Sequence, residues 1–387
     1  METIHIVGAG PSGLMAAQQF ALKGYPVNVY DHKSAPGRKF LVAGNGGFNL
    51  THSEDIELFL TRYNTPEIQA IVRTFNNKDV IQWLESIGIP TFTGSSGKVF
   101  PEKGIKPIEV LQKWLIRLKE LNVQFKFNYR LIDFDQENLI FTSDEKTIEI
   151  PYSHAVFAFG GKSWAKTGSD GKWESLFKFK NIKLNSLEPS NSGLEMDQPL
   201  DKLAGKPLKN IRLFNDFGEK FGELVFTEYG IEGSAVYFMN RFIRHRAFSQ
   251  QLYADLKPQF SLEHIVQLLG SENITQTLKK TLKFDPIRLT LLKTLDRESY
   301  INPKILAQHI KNFPILIKGF RPIDEVISTY GGVSWDELDC QLFLKKYSNI
   351  QCCGEMLDWD APTGGYLLQA CFASGYFLAN SSVNPQG

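Results

Sequence analysis

The first thirty residues alternate between short apolar runs and a helical apolar repeat. Residues 4–7 form a run typical of a buried strand, and residues 14–23 carry apolar positions at helical spacing. Gly24 stands where a helix commonly ends, and residues 27–30 form a second apolar run. A strand, a helix and a second strand in this order predict the start of a parallel, doubly wound sheet.

Similar patterns continue through the first half of the chain. Residues 68–87 and 107–121 have helical spacing, and the second of these segments leads into a β-rich stretch over 123–150. Residues 155–159 have the pattern of another buried strand and end at two glycines. This half of the chain therefore has the character of one α/β domain.

The pattern changes near Ser190. Short β-like runs at 211–214 and 222–226 are separated by glycines and polar turns, which predicts a small sheet or barrel. Residues 247–311 have the spacing of several short helices, with prolines where a helix must begin or end. Apolar runs typical of β-strands then return, and a last helix is predicted from about 364 to 379.

We therefore predict an α/β fold in which both chain ends build one sheet domain. The two parts of this domain are residues 1–189 and 325–387. An inserted β-barrel is expected from residues 190–246 and 312–324, and a small helical subdomain from 247–311.

Composition narrows the class of protein. Of 387 residues, 42% are hydrophobic and 22% are charged, which are ordinary values for a globular protein. The chain begins without a basic and apolar leader, and no stretch approaches the roughly 20 apolar residues of a membrane helix, so we expect a cytoplasmic protein. The four cysteines lack metal-ligand spacing, so we interpret them as reduced packing residues and expect no metal.

The formal net charge of +1 conceals a local excess of basic residues. Between Arg241 and Arg321 there are 14 Lys and Arg against 6 Asp and Glu, a net charge of +8. Such a segment attracts polyanions or simply forms a solvated helical surface, and both interpretations stay open. Arg241, Arg244 and Arg246 form a tight cluster that could bind an anionic substrate or RNA phosphate.

A glycine-rich loop follows the first predicted strand and opens the first predicted helix. It reads Gly-Ala-Gly-Pro-Ser-Gly over residues 8–13, and this context makes the pattern a dinucleotide-binding motif. Gly8 permits the tight turn, Gly10 lets the backbone approach a pyrophosphate, and Gly13 lets the helix pack close to the sheet. Asp31 ends the second strand, where a carboxylate accepts hydrogen bonds from the ribose hydroxyls and repels a 2′-phosphate.

The segment from Gly37 to His52 favours a flavin over a nicotinamide. It is dense in glycine, follows the second strand directly, and begins with two adjacent cations, Arg38 and Lys39. Cationic side chains form charge-assisted hydrogen bonds with phosphate, and glycines let peptide groups approach a flat ring. We therefore predict that this loop lies along FAD.

Five long motifs resemble those of one family, the bacterial NAD(P)/FAD-dependent oxidoreductases that include bile-acid reductases and ribosomal-RNA dihydrouridine synthases. They are GAGPSG, GRKFLVAGNGGFNLTHSE, FGGKSWAKTGSDG, FTEYGIEGSAVY and GEMLDWDAPTGGYLLQACFASGY. The resemblance runs from end to end and implies a Rossmann-like, glutathione-reductase-like FAD domain interrupted by a β-barrel and a helical insert. Gly47 and Phe48 stand where most of the family has Arg-Cys, which marks a shorter, divergent branch.

The resemblance implies FAD contacts along the whole chain. The implied residues are Gly8, Gly10, Pro11, Ser12, Gly13, Asp31, Arg38, Lys39, Asn45, Gly46, Asn49 and Thr51, then Arg130, Leu131, Ala158 and Gly160, and finally Gly354, Glu355, Asp358, Thr363, Gly364, Gly365 and Tyr366. The amide groups at the start of the last helix would then face the flavin edge where negative charge develops on reduction.

The resemblance also implies the chemistry. No second glycine-rich phosphate loop follows a strand, so NADH or NADPH is expected to dock transiently and reduce the flavin. The flavin would then pass a hydride from N5 to an unsaturated C=C bond. His52 and Tyr229 are the candidate proton donors, and a structural hydrogen-bonding role is the alternative for each.

Two other functions stay open. One is a flavoprotein that reduces uridine to dihydrouridine in ribosomal RNA, which the basic segment supports. The other is a non-catalytic factor that binds flavin or RNA. The sequence leaves the kind of substrate, a small molecule or RNA, and the oligomeric state undecided.

Overall fold

The chain folds into two compact units. In the computed structural model, which describes residues 2–42, 47–271 and 273–381, the first unit comprises Met1–Glu188 and Ile327–Gly387, and the second comprises Pro189–Val326. Both ends of the chain therefore belong to one unit, and the other unit is an insertion between them.

Strands and helices alternate in the first unit, whereas the second unit is first β-rich and then helical. The strands are β1 (Ile4–Val7), β2 (Val27–Asp31), β3 (Thr51–His52), β4 (Thr91–Thr93), β5 (Lys98–Pro101), β6 (Gln124–Phe127), β7 (Arg130–Phe134), β8 (Asn138–Ser143), β9 (Lys146–Pro151), β10 (His154–Phe157), β11 (Leu184–Ser190), β12 (Leu194–Met196), β13 (Pro207–Asn215), β14 (Gly218–Phe226), β15 (Gly230–Glu232), β16 (Gln250–Asp255), β17 (Phe313–Phe320), β18 (Ser328–Val333), β19 (Phe343–Leu344) and β20 (Tyr347–Cys352). The α-helices are α1 (Pro11–Leu22), α2 (Arg38–Val42), α3 (Ile56–Leu60), α4 (Pro66–Thr74), α5 (Asn77–Ser86), α6 (Pro107–Glu120), α7 (Trp173–Phe179), α8 (Ser234–Ile243), α9 (Leu262–Ser271), α10 (Ile274–Gln276), α11 (Pro286–Leu292), α12 (Arg297–Ile301), α13 (Pro303–Lys311) and α14 (Tyr366–Ser381).

The central sheet of the first unit has the strand order β19-β20-β10-β1-β2-β6. The pairs from β20 to β6 are parallel, and β19 adds an antiparallel edge. Ile4 of β1 pairs with His154 on one side and with Val27 on the other. The predicted parallel sheet, and its completion by C-terminal strands, are confirmed.

Helices α1 and α14 pack closely against each other. A Cβ at Gly375 would overlap the carbonyl oxygen of Ser12, so the two helix backbones approach each other only because residue 375 is glycine. The buried side-chain oxygen of Gln18 on α1 accepts hydrogen bonds from the indoles of Trp83 and Trp114. This packing fixes the position of the first turn of α1.

The second unit contains a closed antiparallel barrel with the strand order β12-β15-β14-β13-β16-β17 among the described residues. Contact between β12 and β17 closes it. Leu213, Leu252 and Ile317 are fully buried in its hydrophobic core. Helices α9 to α13 lie between β16 and β17 in the chain.

The structure corrects three details of the sequence-based assignment. The stretch 247–311 is not wholly helical, because 250–255 is strand β16, which pairs with β13 and β17 in the barrel. The segment 68–87 is two helices, since Asn76 caps a new helix with its side chain. Helix α1 begins at Pro11, three residues earlier than its apolar repeat, because proline suits the first helical position.

The described residues show the surroundings of the cysteines, the His, Cys, Asp and Glu side chains and the helices. Cys352 and Cys353 are fully buried packing residues, but Cys340 is exposed, so the interpretation of all four cysteines as packing residues is wrong for Cys340. Within the described part of the chain no cluster of His, Cys, Asp and Glu could hold a metal ion. None of the helices described there combines the length and the apolar character that crossing a bilayer requires.

Candidate cofactor site

A cavity of about 560 Å³ lies at the carboxyl ends of β1, β2 and β10 in the first unit. The loop after β1 contributes residues 8–12, β2 ends at Asp31 with His32 next to it, and the loop after β10 contributes 158–160. Ligands of open α/β sheets bind at this edge, because strand ends and helix N-termini meet there. The cavity size is typical of small-molecule and cofactor sites.

Glycines shape the loop between β1 and α1. Gly8 has a φ of +114°, and a Cβ there would overlap the carbonyl oxygen of Ala158. A Cβ at Gly13 would overlap the carbonyl oxygen of Gly8, so α1 can start this close to the strand only without a side chain at 13. Within the described chain, the Cβ position of Gly10 has no atom within 4 Å apart from its neighbours. The backbone at Gly10 is therefore open to a ligand.

The N-terminus of α1 lines the cavity. Gly10 is the N-cap, Pro11 is the first helical residue, and Ser12 follows. The first amide groups of a helix have no acceptor within the helix, and the helix dipole adds partial positive charge there. This end of the cavity is therefore suited to an anion such as a pyrophosphate.

The carboxylate of Asp31 is held by two backbone amides. Oδ2 accepts a hydrogen bond from the amide of Ala9, and Oδ1 accepts one from the amide of Lys33, both at 2.8 Å. Each carboxylate oxygen has a further lone-pair site, so Asp31 can still accept hydrogen bonds from two ribose hydroxyls. The hydrogen bonds from the two amides fix the orientation of the carboxylate toward such a ribose.

An ion pair links the second loop to the C-terminal part of the first unit. The Lys39 ammonium donates to Glu355 Oε2 and to Ser163 Oγ, both at 2.8 Å, and Glu355 Oε1 accepts from the amide of Thr329. Cys371 of α14 lines the cavity nearby, and burial together with the charge of Glu355 raises its pKa to about 12. The thiol is therefore protonated at neutral pH.

A third wall of the cavity comes from β7 and from residues 167–179. The Arg130 guanidinium and the Asp170 carboxylate form an ion pair at 3.4 Å. His32 Nε2 and Ser169 Oγ are enclosed and have no hydrogen-bond partner among the described residues. Burial is the main cause that lowers the pKa of His32, although Asp31 and Asp170 oppose it.

These features fit a dinucleotide. The open backbone at Gly10 and the first turn of α1 suit a pyrophosphate, Asp31 suits a ribose, and the enclosed polar atoms of His32 and Ser169 lack partners that a bound nucleotide could supply. FAD has each of these parts. The residues that would hold it come from three loops and from the start of α1.

Comparison with known proteins identifies the family. The family described as "HI0933-like protein Rossmann domain" matches residues 2–381. The chain belongs to the HI0933-like family. This membership agrees with the Rossmann-like sheet and with the position of the cavity.

The relatives of this HI0933-like protein, and the solved structures that resemble it, carry the names of oxidoreductases and of an RNA-modifying enzyme. A 3-dehydro-bile acid delta(4,6)-reductase of Clostridium scindens is 24% identical, and the match covers 99% of each chain. A ribosomal RNA dihydrouridine synthase of Escherichia coli is also 24% identical, over 98% of this chain and 97% of the relative. The crystal structure of 3-ketosteroid-delta4-(5alpha)-dehydrogenase from Rhodococcus jostii superposes with a TM-score of 0.53 at 13% identity, covering 97% of this chain and 94% of the other. That likeness shows a shared fold.

The cavity brings together many of the residues that the sequence predicts for FAD. Those in its lining are Gly8, Gly10, Pro11, Ser12, Asp31, Arg38, Lys39, Arg130, Leu131, Ala158, Gly160 and Glu355. Gly13 lies beneath the loop, and a Cβ at Gly354 would overlap Ser12 Oγ. Asn45 and Gly46 lie outside the described residues.

The other predicted residues of the first unit lie outside the described lining of this cavity. Asn49 precedes β3, and the Thr51 hydroxyl donates to the side chain of Gln369. Thr363 and Gly364 come just before α14, and a Cβ at Gly365 would overlap the backbone of Thr51. Asp358 accepts a hydrogen bond from Asn185, and burial raises its pKa. Their contacts with FAD stay predictions.

His52 is held by hydrogen bonds through both ring nitrogens. Nδ1 accepts from the amide of Glu54, and Nε2 lies 3.0 Å from the carbonyl oxygen of Ser96. The ring also stacks on Tyr366 at 5.5 Å between centroids, and Tyr366 donates to Glu54 Oε1 at 2.6 Å. His52 as a proton donor stays a prediction.

Tyr229 belongs to a polar cluster of the second unit. Its hydroxyl donates to Glu232 Oε1, and the Arg321 guanidinium lies 4.0 Å from the centre of its ring. Burial, followed by the carboxylate of Glu232, raises the pKa of Tyr229 far above its ordinary value. The phenol therefore keeps its proton at neutral pH, as a proton donor must.

The predicted basic cluster lies at the end of α8 and just beyond it. The Arg241 guanidinium lies 4.5 Å from the ring centre of Phe238, and that of Arg246 lies 3.3 Å from the ring centre of Phe217. Arg244 donates to Ser190 Oγ at 3.1 Å. The cluster therefore combines cations with aromatic rings.

Sequence reasoning missed part of the cavity wall. His32, Tyr129, Ile132, Ser169, Asp170 and Phe179 line the cavity and were not predicted. Ser169 and Asp170 belong to the motif FGGKSWAKTGSDG, and His32 follows Asp31 directly. Ile132 and Phe179 carry no such signal, because an apolar residue at a cavity rim has the same pattern as one in a core.

Proposed function

We propose that this protein, an FAD-dependent oxidoreductase of the HI0933-like family, uses NADH or NADPH to reduce an activated C=C bond of an organic substrate. The observation that carries the proposal is the cavity of about 560 Å³ in the first unit, where the start of α1, Asp31 and the Lys39–Glu355 pair meet. The names of the bile-acid reductase and the ketosteroid dehydrogenase support a C=C substrate.

The residues of the first unit would hold FAD by its polar parts. The amide groups at the start of α1 would bind the pyrophosphate, and Asp31 would accept hydrogen bonds from the adenosine ribose. Lys39 would add positive charge near the phosphates while Glu355 limits its movement. Arg38 is exposed at the cavity lining and would neutralise a phosphate oxygen.

FAD, when bound, supplies the hydride chemistry of the reaction. Tyr229 is one candidate proton donor, and burial and Glu232 raise its pKa, so its phenol keeps its proton at neutral pH. Arg321 over the ring would compensate negative charge on the phenolate after the proton has left. His52 is the other candidate, and its ring nitrogens, like the Tyr229 hydroxyl, have partners in the structure.

Anaerobic reduction of the purified protein tests this proposal. We expect a yellow protein with FAD absorbance that NADH or NADPH bleaches in a stopped-flow experiment, and reoxidation when an electron-poor alkene such as an enone is added. A colourless protein that does not bind added FAD would refute the proposal. A flavin that neither nicotinamide reduces would instead favour a non-catalytic flavin-binding factor.

A second candidate function is reduction of a uridine in RNA. The favouring observation is the basic and aromatic surface of the second unit, where Arg246 stacks on Phe217 and half of Phe217 is exposed. Cations with exposed rings bind single-stranded RNA through phosphates and stacked bases. The name of the Escherichia coli relative agrees with this function.

Salt-dependent RNA binding separates the two candidates. A single-stranded RNA should bind with an affinity that falls steeply with salt, and Arg246→Ala with Phe217→Ala should weaken it about tenfold. Lys304→Ala removes one exposed cation from α13 and is the matched control. Equal weakening by both changes would mean a non-specific charge effect and would leave the small-molecule substrate as the proposal.

A further inference from the structure

A second cavity, of about 280 Å³, lies in the second unit. It is bounded by the turn between β13 and β14, by the segment that follows α8, and by β16, and we call it the hairpin cavity. The residues that line it are Asn215, Asp216, Phe217, Arg246, Ala247, Gln250, Gln251 and Tyr253. Cofactors and drug-sized ligands need about 300–1,000 Å³, so this cavity suits a ligand with a single small ring system.

Two flat side chains of the hairpin cavity are held by neighbouring rings. The Arg246 guanidinium lies 3.3 Å from the ring centre of Phe217, and its Nε donates to the carbonyl oxygen of Phe242. The ring of Tyr253 stacks on that of Phe214, with 5.7 Å between the centroids. Restrained flat groups lose little conformational entropy when a ligand binds, and nucleobases stack on aromatic rings and guanidinium planes. The cavity is therefore suited to a planar ring.

Opposite charges line the cavity without pairing with each other. Among the described residues, neither the Asp216 carboxylate nor the terminal nitrogens of Arg246 have a hydrogen-bond or ion-pair partner. The Tyr253 hydroxyl has no partner in that part of the chain either. A ligand with donors on one edge and acceptors on another would bind both charged groups at once.

Two amide side chains add one donor and one acceptor to this set. Gln250 donates both protons of its side-chain amide to carbonyl oxygens at the end of α8, so its Oε1 remains as an acceptor. Asn215 Oδ1 accepts from two backbone amides of the turn, so its NH2 group remains as a donor. Donors and acceptors therefore both line the cavity.

This pattern of donors and acceptors matches guanine. The N1–H and N2–H groups of guanine are neighbouring donors that one carboxylate accepts in parallel, and O6 and N7 are neighbouring acceptors for a guanidinium. Adenine, cytosine and uracil each lack the pair of neighbouring donors. The end of α8 also carries Arg241 and Arg244, and positive charge there suits the phosphate of a nucleotide.

We infer that the hairpin cavity binds the guanine base of a nucleotide, either free or within single-stranded RNA. In this arrangement Asp216 accepts from N1 and N2, Arg246 donates to O6 and N7, and Tyr253 contacts the base. The inference goes beyond the proposed function, because the site lies in the second unit, takes no part in hydride transfer and requires no FAD.

Calorimetry with the full chain tests the inference. Excess FAD in all solutions keeps other nucleotides out of the cavity of the first unit. We expect GMP to bind about tenfold tighter than AMP or UMP, because guanine alone pairs with both charged groups. The pentanucleotides UUGUU and UUAUU distinguish the two sources of the base. Tighter binding of UUGUU than of GMP assigns the site to RNA, and equal or weaker binding assigns it to a free nucleotide.

Two variants localise the binding to the hairpin cavity. Asp216→Asn keeps the size of the side chain but removes one of its two acceptors, so GMP affinity should fall about tenfold while AMP affinity stays the same. Arg246→Lys keeps the charge but loses the planar fork, and it should also reduce the preference for GMP. Both residues are exposed, so both variants should keep the wild-type melting temperature.

Asp201→Asn is the matched control, because Asp201 is an exposed carboxylate of the same unit outside the lining of the cavity. It should leave all affinities unchanged. Equal affinities of the wild type for GMP, AMP and UMP, or no binding of any of them, would overturn the inference. GMP affinity that Asp216→Asn and Arg246→Lys leave unchanged would also overturn it, since guanine would then bind elsewhere. A protein that prefers GMP in this way but does not bind FAD would refute the proposed function alone.

Discussion

The two units differ in the interactions that restrict their sequences. Around the cavity of the first unit, backbone lies against backbone, and a Cβ at Gly8 or Gly13 would overlap a carbonyl oxygen. In the second unit a buried charge stands beside the apolar barrel core: Asp255 is 2% exposed and lies 2.6 Å from the Lys311 ammonium. The first restriction shapes a place for a ligand, and the second stabilises the barrel.

This difference predicts separate consequences for substitutions in the two units. A change at a tightly packed glycine of the cavity should affect both folding and FAD binding, whereas a change at the buried charge should affect folding alone. The molecule offers a direct way to distinguish them, because all six tryptophans lie in the first unit. Tryptophan fluorescence therefore reports unfolding of the first unit, and circular dichroism reports both units.

Gly13→Ala should have the largest effect. Alanine is the better helix former by about 1 kcal/mol, so any loss must come from the overlap with the carbonyl oxygen of Gly8. We expect a loss of about 4 kcal/mol or more in the free energy of unfolding, with FAD binding abolished. Urea unfolding followed by tryptophan fluorescence, together with an FAD titration, measures both.

Gly10→Ala is the control for that change. Because a Cβ at Gly10 meets open space, the variant should unfold within about 1 kcal/mol of the wild type. The added methyl group would nevertheless stand where a phosphate approaches, so FAD affinity should fall. If Gly13→Ala were as stable as Gly10→Ala, the result would contradict the close contact between α1 and the loop at Gly8.

Asp255→Asn should break the buried ion pair of the second unit. The Asp255 carboxylate also lies 3.8 Å from the Arg212 guanidinium and accepts from the amide of Lys257. Arg212 and Lys311, the two cations beside it, keep some contact with solvent. We therefore expect the free energy of unfolding to fall by about 2–3 kcal/mol, less than for a fully enclosed pair. Circular dichroism during unfolding measures the loss, and FAD affinity should stay unchanged.

Glu219→Gln is the matched control, since Glu219 also pairs with Arg212, at 3.1 Å, but half of its side chain is exposed. Exposed pairs contribute about 0–1 kcal/mol, so this variant should change stability little. A shift of the tryptophan transition in Asp255→Asn as large as the shift by circular dichroism would mean that the two units unfold together. The stabilities of the two units could then not be compared separately.

The same difference explains what could be predicted from the sequence. The phosphate loop, Asp31 and the parallel sheet follow from local patterns, because glycine spacing and a strand-helix-strand order have direct geometric meaning. The α/β fold with an inserted barrel is confirmed by the topology. Gly47 and Phe48 stand where most of the resembling family has Arg-Cys. Packing explains the phenylalanine, since Phe48 is buried against Phe40.

Other features depend on tertiary contacts that a local pattern does not contain. Strand β16 was predicted as part of a helical stretch, because its pairing partners β13 and β17 are distant in the chain. The position of His32 and Ser169 in the wall of one cavity becomes visible only in the structure, where the loops after β2 and β10 meet. A single sequence shows the residues but not their lack of hydrogen-bond partners.

Glu54→Gln tests the polar contacts at the start of α14 and has the smallest expected effect on stability. Glu54 forms a bidentate ion pair with Arg62 and accepts a hydrogen bond from Tyr366, the first residue of α14. Burial alone would raise the pKa of Glu54, but the hydrogen bonds from Arg62 and Tyr366 outweigh it and the pKa is lowered. The variant should lose about 1 kcal/mol of unfolding free energy at neutral pH.

The pH dependence of that loss follows from the direction of the pKa shift. The stability that ionised Glu54 contributes is fully present above its unfolded pKa of about 4.3, and it is lost as the pH falls through the lower folded value. The difference between wild type and Glu54→Gln should therefore be constant from pH 8 to about pH 5.5 and shrink below about pH 4. Glu57→Gln, which breaks the fully exposed pair with Arg73, should show a smaller difference throughout. If the Glu54 difference grew as the pH fell, the carboxylate would be destabilising, and the ion pair would not support the start of α14.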